Sequence, residues 1–149
     1  MIKEIIKKIV PWMNVSKKIY NIYLKSHKAF KKNKKMLASY YANKIYRRYG
    51  CYISPAAEIG NGLAIPHPIG IVIGDGVKIA ENCVIYQNVT IGRKYRDKPE
   101  YPEIGNNVTI YCNSTLIGDI KIGDCSIIGC NSVVLKSVGE NSKCTGVVR

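Results

Sequence analysis

Within residues 51–149, the side chain best suited to chemistry at neutral pH is His67, the only histidine of that segment. An imidazole titrates near neutrality and can take the proton of a hydroxyl group, so His67 is a candidate general base. It lies where a regular pattern of aliphatic residues is interrupted. Ile65 and Ile73 are eight positions apart, whereas the aliphatic positions of the pattern on either side of them follow at intervals of six. A lone histidine is more commonly a surface or packing residue, but a corner that bulges out of a regular wall favours function.

The pattern around His67 is a repeat of six residues. Ile, Leu or Val recurs in a fixed frame with two interruptions, and Gly, Asn or Asp follows three residues later at most repeats. These three turn residues tolerate a left-handed backbone at low cost, so a sharp corner is expected every six residues. The aliphatic positions are Ile53, Ile59, Ile65, Ile73, Ile79, Ile85, Ile91, Ile104, Ile110, Leu116, Ile122, Ile128 and Val134. The turn positions are Gly62, Gly76, Asn82, Asn88, Asn107, Asn113, Asp119 and Asn131, and Pro68 and Cys125 are among the residues that break the series.

Short strands with a sharp corner at a period of six predict a coil. Three hexapeptides close one turn of about 18 residues, with the aliphatic residue pointing inward. Residues 53–138 therefore predict a mostly β protein, a parallel β-helix of about four coils. A period of six fits neither an α-helix nor a heptad repeat, and an ordinary β-sandwich would alternate without a fixed corner residue.

The charge of the chain is concentrated before Gly50. Residues 1–50 contain 14 Lys or Arg and one acid, Glu4, whereas residues 51–149 contain 9 basic and 9 acidic residues. This asymmetry predicts a basic α-helical arm over residues 1–50 and a coil domain over residues 51–149. Breaks at Pro11 and at residues 33–35 divide the arm into three short helices.

The arm has three interpretations. Its residues 2–13 place an apolar face opposite lysines, as in helices that lie on an anionic membrane surface. Nucleic-acid binding is a second option, but the arm contains no recognisable module for it and no nucleic acid is expected as a partner. The arm could equally be a helical cap that closes the open end of the coil. The residues of the apolar face are Ile2, Ile5, Ile6, Ile9 and Met13.

The cysteine pattern and the lack of targeting signals indicate a reducing compartment. Six cysteines stand singly in aliphatic runs without a CxxC pair, and we interpret them as buried small hydrophobic residues. No metal site is expected. The chain shows no secretory signal and no stretch of membrane-spanning length, so a cytoplasmic protein is expected, peripheral to the inner face of the membrane if the arm binds lipid.

Four segments of the coil resemble the hexapeptide-repeat acyltransferases, and in particular their serine acetyltransferase branch. These segments are ISPAAEIG (53–60), HPIGIVIG (67–74), VTIG (89–92) and IGCNSVV (128–134). The resemblance implies a left-handed β-helix and direct acetyl transfer from acetyl-CoA to a hydroxyl without a metal, with His67 in the catalytic position. It also implies a homotrimer whose coenzyme site is formed between adjacent coils.

A column of residues is expected to border the coenzyme. Counting hexapeptides in threes stacks His67, Gln87, Cys112 and Cys130, and with coils about 4.8 Å apart this column suits an extended pantetheine arm. In the family that the chain resembles, small residues occupy the positions of Cys112 and Cys130 and border the coenzyme A channel. Neither thiol is expected to be a nucleophile.

Positive charge and a long loop complete the expected site. The resemblance puts the nucleotide phosphates near Lys136, Lys143 and Arg149, at the end of the coil. The polar residues 92–103 are inserted in the repeat and predict a protruding loop, which in related enzymes reaches over the substrate pocket of a neighbouring subunit. Gly92, at the start of this loop, is assigned to the coenzyme site.

Three positions depart from the serine acetyltransferase pattern. Tyr52 replaces the aspartate that orients the histidine, Pro66 replaces a substrate-binding aspartate, and Tyr101 replaces a second active-site histidine. His67 therefore needs another orienting group, for which a backbone carbonyl, Tyr52 or Glu58 is a candidate. The lost carboxylates would have bound the amino group of serine.

An acceptor other than serine is therefore the leading hypothesis, namely O-acetylation of a hydroxyl on a sugar or polysaccharide precursor. The alternatives are serine O-acetylation in cysteine biosynthesis, N-acetylation of an amino sugar, and a non-catalytic scaffold that has kept the repeat. Coenzyme A binding would separate the enzymes from the scaffold.

Overall fold

Two helices precede the strands in the computed structural model, which describes residues 11–149. They are α1 (Pro11–Lys31) and α2 (Lys35–Tyr49), and the turn between them falls at the predicted break. Gly50 ends α2 with a left-handed backbone, φ 65°. Within the described residues, neither helix has the length and apolar character needed to cross a bilayer. The apolar face predicted for residues 2–13 falls outside the side chains that the structure describes.

The remainder of the chain forms very short strands that pair only in parallel. They are β1 (Tyr52–Ile53), β2 (Glu58–Ile59), β3 (Val72–Ile73), β4 (Lys78–Ile79), β5 (Val84–Ile85), β6 (Thr90–Gly92), β7 (Glu103–Ile104), β8 (Thr109–Ile110), β9 (Thr115–Ile117), β10 (Lys121–Ile122), β11 (Ile127–Ile128), β12 (Val133–Val134), β13 (Lys143–Cys144) and β14 (Val147–Val148). The first sheet has the order β1-β3-β6-β9-β12-β14, the second β2-β4-β7-β10 and the third β5-β8-β11-β13. Successive strands belong to different sheets, so the chain winds into the predicted left-handed parallel β-helix.

The core of the coil consists of the repeat's aliphatic side chains. All the aliphatic positions predicted from the sequence are buried. They stack in register between coils, as Ile85, Ile110 and Ile128 do in the third sheet. Each such side chain contributes about 1.5–3 kcal/mol by burial, which compensates for strands too short to be stable alone. The first sheet's strands β1 to β12 mark four turns of the coil, and a fifth turn is completed at β14.

The corners between sheets differ in whether they regularly contain a residue with a left-handed backbone. A left-handed residue occurs at the corners that lead into the third sheet (Gly62, Asn82, Asn107, Cys125 and Asn141) and at those that lead from the third sheet to the first (Gly70, Asn88, Asn113 and Asn131). The prediction of left-handed turns is wrong for Gly76 and Asp119, which lie at the corner from the first to the second sheet. One coil does have a left-handed residue at this corner, but it is Gly118, φ 95°. Gly76 instead leaves room for the ring of Tyr101, which a Cβ there would contact. Gly70 supplies the left-handed residue at the corner where Pro68 broke the series.

Helix α1 covers the open end of the first coil with two hydroxyl groups. The Ser16 hydroxyl donates to the carbonyl of Ile65 at 3.0 Å and accepts from its N–H at 2.8 Å. The Tyr23 hydroxyl donates to the carbonyl of Ala57 at 2.6 Å and accepts from the N–H of Ile59 at 3.1 Å. Both side chains thus replace the hydrogen bonds that a preceding coil would make to an edge strand. These contacts support the interpretation of the arm as a helical cap.

The six cysteines are free, but only Cys51 and Cys83 are buried. The prediction of six buried cysteines is wrong for the other four. Their side chains lie at corners, where they point outward, or near the end of the coil, where no further coil covers them. These four are Cys112, Cys125, Cys130 and Cys144.

A loop of residues 93–102 leaves the coil between β6 and β7. The sequence predicted it over residues 92–103, but Gly92 and Glu103 both pair with neighbouring strands. Glu103 is fixed by Lys78, whose ammonium lies 2.8 Å from its carboxylate. The side chains of residues 93–100 are exposed, so the loop protrudes from the corner between the first and second sheets.

Candidate active site

The two extra residues of the interrupted repeat are His67 and Pro68. The N–H of Asn88 donates to the carbonyl of Ile69 at 2.9 Å, which pairs Ile69 with Gln87, and equivalent bonds recur at the next two coils. The regular wall therefore resumes at Ile69, and the two residues before it form a bulge. The predicted bulge at this corner is confirmed, and the His67 side chain is exposed.

A pair of stacked tyrosines lies beside His67. The centroid of the imidazole is 6.1 Å from that of the Tyr86 ring, with an interplanar angle of 46°. Tyr86 in turn stacks on Tyr111, with centroids 5.0 Å apart and an interplanar angle of 13°. Within the described part of the chain, no polar group is hydrogen-bonded to the imidazole. The Tyr86 ring is therefore the side chain in the best position to restrict the orientation of His67.

The column of residues expected from the count in threes is present, but its lowest member differs from the prediction. Gln87, Cys112 and Cys130 occupy equivalent positions, because the strands before them pair in register. The placement of His67 in this column is wrong, since Ile69 lies below Gln87 and the insertion displaces His67. The Oε1 atom of Gln87 is buried and has no hydrogen-bond partner among the described residues. A buried acceptor of this kind is costly unless a water molecule or a ligand supplies a donor.

Tyr52 lies at a different corner from His67. Its hydroxyl is near Ser54 and Asp75, which are joined by a hydrogen bond of 2.7 Å between the Ser54 hydroxyl and the Asp75 carboxylate. Burial, followed by the charge of Asp75, raises the pKa of Tyr52. These contacts draw Tyr52 toward the corner between the first and second sheets. His67 lies at the corner between the third and first sheets.

Glu58 and Tyr101 are also engaged elsewhere. The carboxylate of Glu58 lies on the second sheet, 3.3 Å from the ammonium of Lys31 on α1. Tyr101, near the end of the loop of residues 93–102, packs over Gly76. Neither residue is brought to His67 in this chain, and among the described residues no carboxylate is hydrogen-bonded to the imidazole.

The remaining predicted residues are separate from one another. Gly92 closes β6 with open space where a Cβ would lie. Lys136, Lys143 and Arg149 are exposed in the last coil, and Lys143 belongs to the third sheet, as do the strands that precede Cys112 and Cys130. Among the described residues, no group of three or more His, Cys, Asp or Glu could hold a metal ion.

Sequence reasoning missed Tyr86 and Tyr111. The signal was present, because each tyrosine directly follows an inward isoleucine of the third sheet, Ile85 or Ile110. The count in threes that aligned Gln87 with its column also aligns the two tyrosines. The count of hexapeptides does not predict the direction in which the displaced imidazole of His67 points.

Comparisons with known proteins give a consistent picture. The sequence profile described as bacterial transferase hexapeptide (six repeats) matches residues 101–136. The serine acetyltransferase of Staphylococcus epidermidis is 39% identical over 127 residues, which are 84% of this chain and 59% of that protein. A truncated serine acetyltransferase apoenzyme superposes with a TM-score of 0.84 at 34% identity, covering 87% of this chain and 54% of that one. A serine acetyltransferase in complex with CoA gives a TM-score of 0.81 at 34% identity, covering 86% and 53%.

These relatives overturn one expectation. A sugar or polysaccharide acceptor was inferred from the missing carboxylates at Tyr52 and Pro66, whereas the similar proteins are named serine acetyltransferases. The sugar hypothesis is therefore wrong, and the alternative of serine is better supported. The chain spans less than two thirds of the length of the curated relatives that it matches.

Proposed function

This chain belongs to the serine acetyltransferase-like branch of the hexapeptide-repeat acyltransferases, and we propose that it transfers the acetyl group of acetyl-CoA to the hydroxyl of L-serine. The observation that carries the proposal is the position of His67. Its imidazole is exposed in a two-residue bulge, in a coil similar to those of serine acetyltransferases.

In the proposed reaction, His67 is the general base. Its imidazole takes the proton of the serine hydroxyl while the hydroxyl oxygen attacks the thioester carbonyl. A C–O bond forms, the C–S bond breaks, and the imidazolium returns the proton to the departing thiolate. Acetyl-CoA would supply the activated acetyl group, and no metal takes part. General-base catalysis of this kind is worth about 100-fold to 10,000-fold in rate.

The column above the bulge would border the pantetheine arm. The buried Oε1 of Gln87 has no partner among the described residues, and an amide N–H of the arm could donate to it. Cys112 and Cys130 have side chains small enough to leave room for the arm on the following coils. Lys136 and Lys143, exposed in the last coil, would attract the nucleotide phosphates.

The orientation of His67 is assigned to Tyr86. Its ring lies beside the imidazole, and Tyr111 supports that ring by stacking. Aromatic pairs of this geometry are worth about 0.5–1.5 kcal/mol beyond burial, enough to favour one orientation of the imidazole. Tyr86 is thus a positioning residue, in the role that the sequence analysis left open between a carbonyl, Tyr52 and Glu58.

A homotrimer is part of the proposal. Tyr101, Gly92 and the loop of residues 93–102 lie at one corner of the coil and His67 at another, so a single protomer leaves them apart. A neighbouring coil could bring the loop of one subunit to the His67 of the next. A mainly trimeric mass in native mass spectrometry is expected, and a monomer at micromolar concentration would remove the shared site.

The test is acetyl transfer to L-serine, measured by thiol release and by the mass of the product. His67→Ala should lower kcat by at least about 100-fold and leave the affinity for coenzyme A nearly unchanged. His27→Ala is the matched control, because the only other histidine of the chain is bonded to the carbonyl of Pro55 at 2.9 Å, in the cap.

Three results would count against the proposal. Full activity in His67→Ala would refute the mechanism. A wild-type protein that binds coenzyme A but does not acetylate serine would refute the acceptor. A protein that does neither would favour the non-catalytic scaffold.

A further inference from the structure

The turn between α1 and α2 combines two kinds of exposed side chain. We call residues 30–37 the hairpin tip. It contains four lysines, and residues 11–50 contain no acidic residue to neutralise them. Among the described residues, the one ion pair of the helices is that of Lys31 with Glu58, and both of its side chains are more than half exposed. The tip is therefore a concentrated and almost unpaired positive charge.

Apolar side chains flank these lysines on both sides. Met36 is 91% exposed, and Phe30 and Leu37 are 41% and 43% exposed. Single exposed apolar residues are ordinary on a protein surface, but these three lie within eight residues of one turn. A surface that is both cationic and apolar fits a partner that offers anionic groups above an apolar layer.

The tip is held in a defined shape. The hydroxyl of Ser26 donates to the carbonyl of Ala38 at 2.7 Å and ties α1 to α2. Asn33 adopts a left-handed backbone, φ 55°, and its N–H donates to the carbonyl of Phe30 at 2.8 Å. The opposite side of α1 is occupied by its contacts with the coil, such as the bond between His27 and Pro55. Met36 therefore lies on a fixed protrusion, whereas Phe30 and Lys35 line a groove that the tip forms with Pro55 and Asp75 of the coil.

We propose that the hairpin tip docks on a bilayer that contains anionic phospholipids. The lysines face the headgroups, and Met36 enters the boundary between the headgroups and the acyl chains. The charge alone would also suit nucleic acid, but a phosphate backbone offers nothing to an exposed methionine beside it. This proposal does not depend on the acetyl-transfer reaction.

The experiment is co-sedimentation of the full-length protein with vesicles of phosphatidylcholine alone or with one third phosphatidylglycerol. Binding is expected only to the anionic vesicles. The double variant Lys34→Gln, Lys35→Gln should weaken it about 10- to 30-fold. The control Lys17→Gln, Lys18→Gln removes the same charge at the far end of α1, and should weaken binding less than about threefold.

The variant Met36→Ser separates lipid from other polyanions. It should weaken vesicle binding about fivefold, because the methionine side chain that the bilayer would bury is lost. Binding to a DNA duplex should be unchanged. Its side chain is 91% exposed, so folding should not be affected. No binding to anionic vesicles, equal losses in the two lysine variants, or Met36→Ser binding as well as wild type would each overturn the proposal.

Discussion

Replacement of Tyr23 by phenylalanine tests how the first coil is closed. The Tyr23 hydroxyl is bonded to the carbonyl of Ala57 and to the N–H of Ile59, and the residue is 1% exposed. Removal of the hydroxyl leaves both backbone groups without a partner under a helix that excludes water. An unsatisfied buried group costs about 1–3 kcal/mol, so Tyr23→Phe should lower the free energy of unfolding by about 2–4 kcal/mol.

The same hydroxyl makes stability depend on alkaline pH. Burial, only partly opposed by the hydrogen bond from Ile59, raises the pKa of Tyr23 to about 12. The unfolded chain loses this proton near pH 10, so the stabilisation is complete below pH 10 and declines as pH rises toward 12. A shift of about two units corresponds to about 3 kcal/mol, and Tyr23→Phe should lose this part of the pH dependence.

The assay is urea unfolding followed by circular dichroism, at pH 7 and in steps from pH 9.5 to 11.5. Tyr20→Phe is the matched control, because the Tyr20 hydroxyl makes longer bonds, 3.4 Å to the carbonyl of Ile59 and 3.2 Å to Asn61. It should cost less than about 1 kcal/mol. If Tyr23→Phe costs no more than Tyr20→Phe, the two hydrogen bonds do not close the coil and the reasoning is refuted.

Three further predictions concern the corners of the coil. Tyr86→Leu should lower kcat about 10- to 100-fold with little change in the KM for acetyl-CoA. Tyr86→Phe should retain activity, because the ring and not the hydroxyl is beside His67. Equal rates for the two variants in steady-state assays would contradict the positioning role of Tyr86. Cys125→Asn should raise the free energy of unfolding by about 0.5–1 kcal/mol, since Cys125 has a left-handed backbone (φ 58°) that asparagine adopts more readily. A lower free energy of unfolding, measured with urea, would contradict this. Deletion of His67 and Pro68 should restore a regular hexapeptide. The midpoint of thermal unfolding should then stay within a few degrees of wild type while acetyl transfer is lost. An unfolded variant would show instead that the bulge is needed for the fold.

The coil could be predicted because every hexapeptide has the same requirement, an aliphatic residue at its inward position. The thirteen positions that meet this requirement in the sequence are all buried. The chemistry of the corners was harder to predict, because a glycine can serve a left-handed turn or a close approach. At Gly76 it is the ring of Tyr101 that requires the glycine. That contact joins residues 25 positions apart across the loop, and no local pattern marks it.

The bulge that exposes His67 could be predicted from the sequence, but the groups around the imidazole could not. His67 stood out because it interrupts a period, which is a property of the sequence alone. The candidates for the orienting group were a backbone carbonyl, Tyr52 and Glu58, yet the structure turns Tyr52 toward Asp75 and pairs Glu58 with Lys31. Which group faces the imidazole depends on the direction of the bulge, and that direction follows from packing between coils.

The bulge adds a site to the coil without disturbing its core. Ile65 before it and Ile71 after it are 1% and 0% exposed, so the inward column continues through the insertion. Ile69 takes the ladder position below Gln87, and the N–H of Gly70 is bonded to the carbonyl of Gly50 at 2.9 Å. Because every ladder bond at this corner is made without His67, the residue carries little of the fold's stability. Substitutions at position 67 should therefore change the chemistry of the site while the scaffold that positions it persists.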